Sequence, residues 1–155
     1  MKKIILFVAL PLPILVFIFL KFFGKNEFEV PVYWSEGVQR NVPVCGQYAA
    51  PYILPDSALT DLGWRKDKAT LIVLNESGIK NNLQRIQDLF EPGDYHTLTL
   101  TDASYEVKTC LLLAGDTSRV VMIDDQKRIR GYYTPTSGKE TDRLAVELRI
   151  LLKQY

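Results

Sequence analysis

The sequence has little net charge, little histidine and little cysteine, and each shortage narrows the range of functions. Its 155 residues include 19 Lys and Arg against 18 Asp and Glu, together with one histidine and two cysteines. Balanced charge of this kind creates no general attraction to nucleic acid or to an anionic membrane surface. We therefore expect no nucleic-acid partner.

No residue pattern of a common catalytic or metal site is present. His96 is the only histidine, and no cluster of cysteines or carboxylates accompanies it in the sequence. Ser77 has no histidine close in sequence to activate it, so capping of the helix predicted after it explains this serine better. We predict no catalytic residue, no metal ligand and no cofactor, and the sequence favours a non-catalytic role over an enzyme.

A long hydrophobic run is present near the N-terminus. Residues 4–20 read IILFVALPLPILVFIFL, and the apolar stretch continues past Lys21 to Phe23. A run of about 20 residues spans about 30 Å as a helix, which is the thickness of a bilayer core. Because Lys2 and Lys3 precede it, we predict a single-pass anchor at residues 4–23 with the domain on the periplasmic or extracytoplasmic side. Secretion after cleavage of a signal peptide is the alternative.

Composition divides the chain into three segments. Residues 1–24 form the predicted transmembrane anchor, residues 25–68 a proline-rich lead-in, and residues 69–155 the main domain. Pro43, Pro51 and Pro55 exclude a regular helix in the lead-in, because proline lacks a backbone N–H and clashes with the preceding turn. We therefore expect loops there, with one or two short edge strands.

The main domain begins with a predicted strand, a helix and a second strand. Residues 69–74 are a continuous apolar run, which is typical of a strand covered on both faces. The helix that follows stops at Pro92-Gly93, and its apolar stripe consists of Ile79, Leu83, Ile86 and Phe90. The alternation in HTLTLT, residues 96–101, predicts the next strand.

The main domain ends with a predicted hairpin and a helix. Residues 102–114 fit either a strand or a short helix. The segments RVVMID and RIRGYYT, residues 119–124 and 128–134, predict a β-hairpin with Ile129 pointing inward. Ser137, with Glu140 three residues later, has the capping-box pattern of a helix start. The apolar stripe of this last helix consists of Leu144, Leu148 and Leu151.

The two cysteines lie far apart in the sequence, at positions 45 and 110. An exported domain occupies an oxidising compartment in which disulfides persist, and Cys45 and Cys110 allow one internal bridge. The alternative is two unrelated buried thiols, because free cysteine often behaves as a small apolar side chain. Both interpretations stay open at this point.

The densest basic and aromatic cluster lies in the second strand of the predicted hairpin. It contains Arg128, Arg130, Tyr132 and Tyr133. Alternation along a strand places Arg128 and Arg130 on one face, where they could meet an acidic partner. The cluster is therefore either an interaction surface or an ordinary solvated face of the hairpin.

The order of the predicted elements resembles the thioredoxin plan, in which a parallel half meets a hairpin and a terminal helix in one mixed sheet. Residues 120–155 resemble more specifically the C-terminal part of Sco-type proteins. These are membrane-anchored thioredoxin-fold proteins that assist copper-site assembly in cytochrome oxidase. The similarity is strongest in Ile-Asp-Asp at 123–125, Arg-Ile-Arg-Gly-Tyr-Tyr at 128–133 and Asp-Arg-Leu at 142–144. The resemblance implies an α/β fold, a thioredoxin-like central mixed sheet flanked by helices.

The positions of the family's ligands differ in this chain. In Sco-type proteins the loop after the first strand carries a C-x-x-x-C pair, because two thiolates at one helix turn can hold Cu(I) or exchange disulfides. This chain has Asn-Glu-Ser-Gly-Ile at residues 75–79 instead. The family's third copper ligand is a histidine near the position of residues 116–118, and none stands there.

We therefore predict an exported, membrane-anchored domain that lacks the usual redox or copper site. It acts as a non-catalytic interaction or assembly module for an unidentified protein partner. The alternative is a thiol-disulfide or copper-handling protein of cytochrome oxidase assembly that uses Cys45 and Cys110. This alternative requires the two sulfurs to lie within bridging distance, with Cα atoms closer than about 7 Å.

Overall fold

The centre of the protein is a four-stranded mixed sheet. The structure, a computed structural model, describes residues 13, 15–19, 29–39 and 45–153. Within residues 45–153 the strands are β1 (Thr70–Val73), β2 (His96–Thr99), β3 (Val120–Ile123) and β4 (Ile129–Tyr133). The helices there are α1 (Asp56–Asp61), α2 (Lys80–Gln87), a π-helix (Glu106–Leu111) and α3 (Gly138–Leu151). The predicted α/β class and the predicted order from β1 to α3 are confirmed.

The strands lie in the order β2-β1-β3-β4. β1 and β2 are parallel, with Thr70 opposite His96, while β3 pairs antiparallel with both β1 and β4. The two central strands, β1 and β3, are buried at every residue. Their continuous apolar sequences follow from this position, because a strand covered on both faces has no exposed side that favours polar residues.

Two amphipathic helices cover one side of the sheet, which we call the first face. This face carries Leu71 and Val73 of β1, against which α2 and α3 pack. The fully buried helix-side residues are Ile79, Ile86, Leu144 and Leu148. Leu83, Phe90 and Leu151 pack against the same cluster at its margin. The two predicted apolar stripes are thus confirmed, and each buries its side chains against the sheet.

Mostly irregular chain covers the other side of the sheet, which we call the second face. This face carries Ile72 of β1 and Ile123 of β3. The lead-in contributes Tyr52, Leu54 and Leu59 to its core. The chain that follows the π-helix contributes Leu112, Leu113 and Ala114. The domain therefore has two core clusters, and the second one depends on the lead-in.

The described part of the lead-in, residues 29–39 and 45–68, contains no strand. It is attached to the sheet region through backbone bonds, in which Tyr33 N–H donates to the Ile129 carbonyl and Leu54 N–H to the Lys127 carbonyl. The helix α1 begins directly after Pro55, its N-cap residue. This corrects the expectation that the prolines exclude a helix from the whole segment. Proline is tolerated at a helix start, because the first backbone N–H groups have no intrahelical partner there.

The segment 102–114, which fitted either a strand or a helix in sequence, is helical at its centre. Residues 106–111 form a π-helix. The Leu112 N–H donates to the Val107 carbonyl at 2.9 Å, which is the spacing of five residues that defines a π turn. The sequence pattern could not decide between strand and helix here, because a short apolar stretch fits the side-chain period of both.

The last helix starts where the sequence predicted. Ser137 is the N-cap of α3, and its hydroxyl accepts a hydrogen bond from the Glu140 N–H at 3.4 Å. The Glu140 carboxylate pairs with the Arg143 guanidinium at 3.2 Å. The serine therefore satisfies one of the helix N–H groups that lack an intrahelical acceptor.

The predicted anchor, residues 4–23, lies largely outside the described residues. Positions 13 and 15–19 are described, and these residues are helical with exposed side chains. Within the described ranges, no helix has the length and apolar character needed to cross a bilayer. The anchor therefore stays a prediction.

Candidate functional site

The loop between β1 and α2 is the first candidate, because a strand end and a helix start meet there. The Asn75 side-chain oxygen accepts a hydrogen bond from the Ser77 N–H at 2.8 Å. The Glu76 carboxylate accepts one from the Thr99 hydroxyl at 3.2 Å. Gly78 has a φ of 75°, which glycine adopts without steric cost. Residues 75–78 are exposed, so the loop presents an amide, a carboxylate and a hydroxyl to solvent.

Ser77 does not cap the helix that follows this loop. The N-cap of α2 is Ile79, and no side chain caps the helix. The turn at Asn75 and the positive φ of Gly78 delay the first helical residue to Lys80. Ser77 therefore stands too early in the chain to serve as the N-cap, and the predicted capping role is wrong.

His96 lies at the other end of the sheet from the loop. It pairs with Thr70 at the start of β1, whereas the loop follows the pairing of Val73 with Thr99. Three residues of strand separate the two positions by about 10 Å. Burial, followed by the positive charges of Arg65 and Lys68, lowers the pKa of the His96 imidazole. The single histidine and the loop therefore do not form one site.

A buried carboxylate organises the turn of the hairpin. Asp124 is 2% exposed and accepts hydrogen bonds from the Gln126 N–H, the Arg128 N–H and the Arg128 guanidinium. The Arg130 guanidinium lies 3.4 Å from the same carboxylate and donates to the Val30 carbonyl at 2.5 Å. Burial lowers the pKa of Arg130, while the Asp124 charge opposes that change. These contacts satisfy a carboxylate that would be costly to bury alone.

This arrangement corrects the predicted interaction surface. Arg130 is 6% exposed and Tyr133 is 1% exposed, so neither residue belongs to an accessible surface. The buried Asp124 draws Arg130 inward, and the Tyr133 hydroxyl donates to the Glu147 carboxylate at 2.5 Å. Burial and this hydrogen bond both raise the pKa of Tyr133. Arg128 and Tyr132, the other two predicted residues, stay partly accessible.

The second candidate is the sulfur pair. Cys45 and Cys110 form a disulfide with their Cα atoms 5.2 Å apart, and the bond joins the lead-in to the π-helix. Three tyrosine hydroxyls donate to consecutive carbonyls where this helix ends. The pairs are Tyr48 with Cys110 at 3.1 Å, Tyr52 with Leu111 at 2.6 Å and Tyr132 with Leu112 at 2.9 Å. Since the last carbonyls of a helix lack intrahelical donors, the hydroxyls satisfy them.

An apolar groove of about 500 Å³ runs beside the disulfide. It is lined by lead-in residues between positions 47 and 58 and by π-helix residues between positions 106 and 111. The rings of Tyr48 and Tyr52 meet edge to face, with centres 5.3 Å apart. Burial, followed by the nearby Tyr48, raises the pKa of Tyr52 to about 12, so its hydroxyl stays a proton donor at neutral pH.

The two candidates offer different chemistry. Among the described residues, no group of three or more His, Cys, Asp or Glu side chains could hold a metal ion. The loop at residues 75–78 presents only oxygen and amide groups, which suit hard cations when several more oxygens are present. The disulfide can accept two electrons from a thiol partner. Sulfur chemistry therefore belongs to the groove beside the π-helix.

Tyr48 and Tyr52 beside the groove, and Asp124 in the hairpin turn, could not be recognised from the sequence as residues with these contacts. Tyr48 and Tyr52 lie in a proline-rich segment without a regular period, and their carbonyl partners are 62 and 59 residues away. Asp124 directly follows the apolar run of β3, where an acidic residue suggests only a turn. No local signal marked these three side chains as buried donors or acceptors.

No protein-family model, no curated protein and no solved structure matches this chain. The resemblance to Sco-type proteins therefore stays a prediction.

Proposed function

We propose that this chain is an exported, membrane-anchored domain of thioredoxin-like architecture. It serves as a non-catalytic interaction or assembly module for a protein partner, and it is a relative of Sco-type proteins that lacks their redox and copper site. The observation that carries the proposal is the loop between β1 and α2. It presents an amide, a carboxylate and a hydroxyl where the thioredoxin plan presents reactive sulfur.

The strand order supports the thioredoxin-like architecture. A parallel pair, β1 and β2, is joined through α2, and the antiparallel hairpin of β3 and β4 extends the sheet from β1. Helices α2 and α3 share the first face, while the π-helix segment lies on the second. A parallel half that meets a hairpin and a terminal helix is the arrangement of the thioredoxin plan.

The chemistry of the loop supports a non-catalytic role at this position. Soft Cu(I) selects thiolates and imidazoles, and disulfide exchange needs a sulfur nucleophile. Asn75 and Glu76 are engaged in hydrogen bonds to Ser77 and Thr99. His96 lies at the opposite end of the sheet, so no imidazole completes the loop.

A Cu(I) titration of the full-length chain in mild detergent tests this role. We expect no tight copper binding by the oxidised protein, because its two sulfurs are joined to each other. The matched control is the Cys45→Ser, Cys110→Ser double variant, which leaves residues 75–79 unchanged. Tight one-to-one binding that persists in this variant would contradict the proposal, since a copper site would then be present that does not use the two cysteines.

Protease added to intact spheroplasts tests the predicted topology. The apolar run at residues 4–23 and the preceding Lys2 and Lys3 favour a domain outside the cytoplasm. We therefore expect digestion of the domain before lysis, while a cytoplasmic marker protein stays intact. Digestion that occurs only after lysis would place the domain inside and remove the export part of the proposal.

A second candidate function is thiol-disulfide or copper handling by Cys45 and Cys110. The specific observation in its favour is the disulfide, which places the two Cα atoms 5.2 Å apart. After reduction, two thiolates at this distance could hold one Cu(I) ion, a metal that favours sulfur ligands. Copper binding by the reduced wild-type chain that disappears in the double variant would select this function over the interaction module.

A further inference from the structure

We propose that the disulfide between Cys45 and Cys110 is a reducible latch. In the oxidised state it holds lead-in residues 45–51 against the π-helix, and these residues form part of the wall of the apolar groove. Reduction releases this segment and widens the groove, while residues 29–39 and 52–68 keep their contacts with the sheet. The latch depends neither on the membrane anchor nor on a protein partner, and it goes beyond the proposed function.

The described lead-in residues before and after this segment, 29–39 and 52–68, are attached to the sheet region independently of it. The Tyr33 N–H donates to the Ile129 carbonyl at 2.9 Å, and the Leu54 N–H donates to the Lys127 carbonyl at 3.0 Å. Leu54 and Leu59 are 1% and 0% exposed in the core of the second face. Backbone hydrogen bonds and apolar burial hold these parts whether or not the disulfide is present.

Residues 45–51 are attached differently. Within the described ranges, residues 46–51 make no backbone hydrogen bond to another part of the chain. The segment is held by the disulfide, by the hydroxyl of Tyr48 on the Cys110 carbonyl, and by packing of the half-buried Tyr48 ring against Tyr52 and the core of the second face. Gln47 and Ala49 are exposed. The disulfide is the covalent bond between this segment and the π-helix, and the other contacts of the segment are non-covalent.

Release of this segment would remove part of one wall of the groove. Residues 47–49 line it from the lead-in, and residues of the π-helix between 106 and 111 line it as well. The disulfide joins these two sides, because Cys45 is the first residue of the segment and Cys110 belongs to the π-helix. When the segment leaves, apolar side chains of the π-helix that are now partly exposed, such as Val107 and Leu111, become more exposed.

The redox step needs a dithiol reductant. One thiolate of the reductant attacks a sulfur of the protein disulfide, which breaks the S–S bond and forms a mixed disulfide. The second thiolate of the reductant then displaces the remaining protein sulfur. Two electrons pass to the protein, Cys45 and Cys110 each gain a proton, and the reductant leaves as its own disulfide.

Limited proteolysis with chymotrypsin measures the opening directly, because Tyr48 and Tyr133 report on different events. Tyr48 lies in the segment that the latch releases, and Tyr133 is 1% exposed in β4 and is reached only when the sheet opens. Full-length chain in mild detergent is digested with and without dithiothreitol. Thiol titration establishes the state of the cysteines, and mass spectrometry after denaturation and reduction quantifies cleavage after each tyrosine.

We expect reduction to accelerate cleavage after Tyr48 by a factor about tenfold larger than cleavage after Tyr133, because proteolysis follows the population of the open form. The Cys45→Ser, Cys110→Ser variant should be cut rapidly after residue 48 with or without reductant. The Tyr48→Phe variant keeps a chymotrypsin site and loses only the hydroxyl bond, so it should stay resistant while oxidised. Equal acceleration at both tyrosines, no acceleration after two thiols are titrated, or a native disulfide that resists dithiothreitol would each overturn the latch.

Discussion

On the first face of the sheet, two helices bring Ile86 and Leu148 to 0% exposure, whereas on the second face Leu59 reaches the same burial from a short helix within irregular chain. The helices α2 and α3 satisfy most of their backbone groups internally, so apolar burial is enough to hold them. In the described lead-in, residues 29–39 and 45–68, the short helix α1 is the only α-helix with such a ladder. Several of the lead-in's backbone N–H groups, such as those of Tyr33 and Leu54, donate to carbonyls that are distant in sequence, and a disulfide joins the lead-in to the π-helix.

Residues that are equally buried on the two faces are therefore held in place by different kinds of contact. Hydrogen bonds on the second face join residues far apart in sequence, with separations of 98 for Trp34 and Tyr132 and 62 for Tyr48 and Cys110. Closing such long loops costs conformational entropy before any contact compensates for it. We therefore expect the first face to tolerate loss of single polar contacts better, and the second face to depend on its long-range ties.

The largest effect is expected on the first face, from Leu148→Ala. Leu148 is fully buried in α3, so the substitution removes apolar contacts and leaves a cavity between helix and sheet. We expect the free energy of unfolding to fall by about 2 to 5 kcal/mol, measured by urea denaturation of the full-length chain in detergent. The matched control is Val146→Ala in the same helix, at a side chain that is 53% exposed. A loss of equal size in both variants would contradict the packing of α3.

Removal of the disulfide should have the next largest effect. The Cys45→Ser, Cys110→Ser variant loses a cross-link between residues separated by 65 positions. A cross-link restricts the unfolded chain, and its loss typically lowers the free energy of unfolding by about 2 to 4 kcal/mol. Urea denaturation of the variant beside the oxidised wild type measures this loss. If the two midpoints coincide, the second face is held by packing alone and the contrast between the faces disappears.

A smaller effect is expected from Leu59→Ala on the second face. Leu59 is fully buried, yet it belongs to a helix of six residues whose flanking chain can move inward and partly fill the cavity. We expect a loss of about 2 to 3 kcal/mol, the low end of the range for leucine truncation. Ile53→Ala, at a side chain that is 45% exposed, is the control. A loss larger than that of Leu148→Ala would show that the second face is the more rigid of the two.

The parts of the fold that the sequence predicted are those encoded by local periodicity. The apolar run of β1, the stripes of α2 and α3, and the alternation of the β3–β4 hairpin each lie within one continuous segment. Neighbouring positions in such segments face the same environment, so the pattern of side chains reveals the element. The helices and strands of the first face are therefore predictable from the sequence, whereas the burial of Tyr133 in its core is not.

The second face could not be derived in this way. The sequence showed Cys45 and Cys110 but left their pairing open, because spacing alone does not determine a disulfide. The hairpin shows the same limit, because Arg130 was assigned to a surface from the alternation of β4, although the decisive partner was the buried Asp124 six residues earlier. In both cases the outcome depends on which groups meet in space, and no period within a segment records that.

The smallest expected effect concerns His96. It pairs with Thr70, which lies two residues before Ile72 and therefore on the same side of β1, the second face. Burial, followed by the charges of Arg65 and Lys68, lowers the pKa of His96 below its ordinary value of 6.5, whereas Asp67 opposes the shift. The unfolded chain, with the ordinary pKa, therefore binds the extra proton first as the pH falls.

Stability should accordingly decrease as the pH falls through about 6.5 and stop decreasing from this cause below the folded-state pKa. His96 is the only histidine, so His96→Gln should remove this contribution while the carboxylates continue to titrate in both proteins. Urea midpoints at several pH values between 5 and 8 measure the difference. We expect the wild type to lose slightly more stability than the variant over this interval. Parallel curves would mean that His96 titrates alike in both states, and a smaller loss in the wild type would mean that folding raises its pKa.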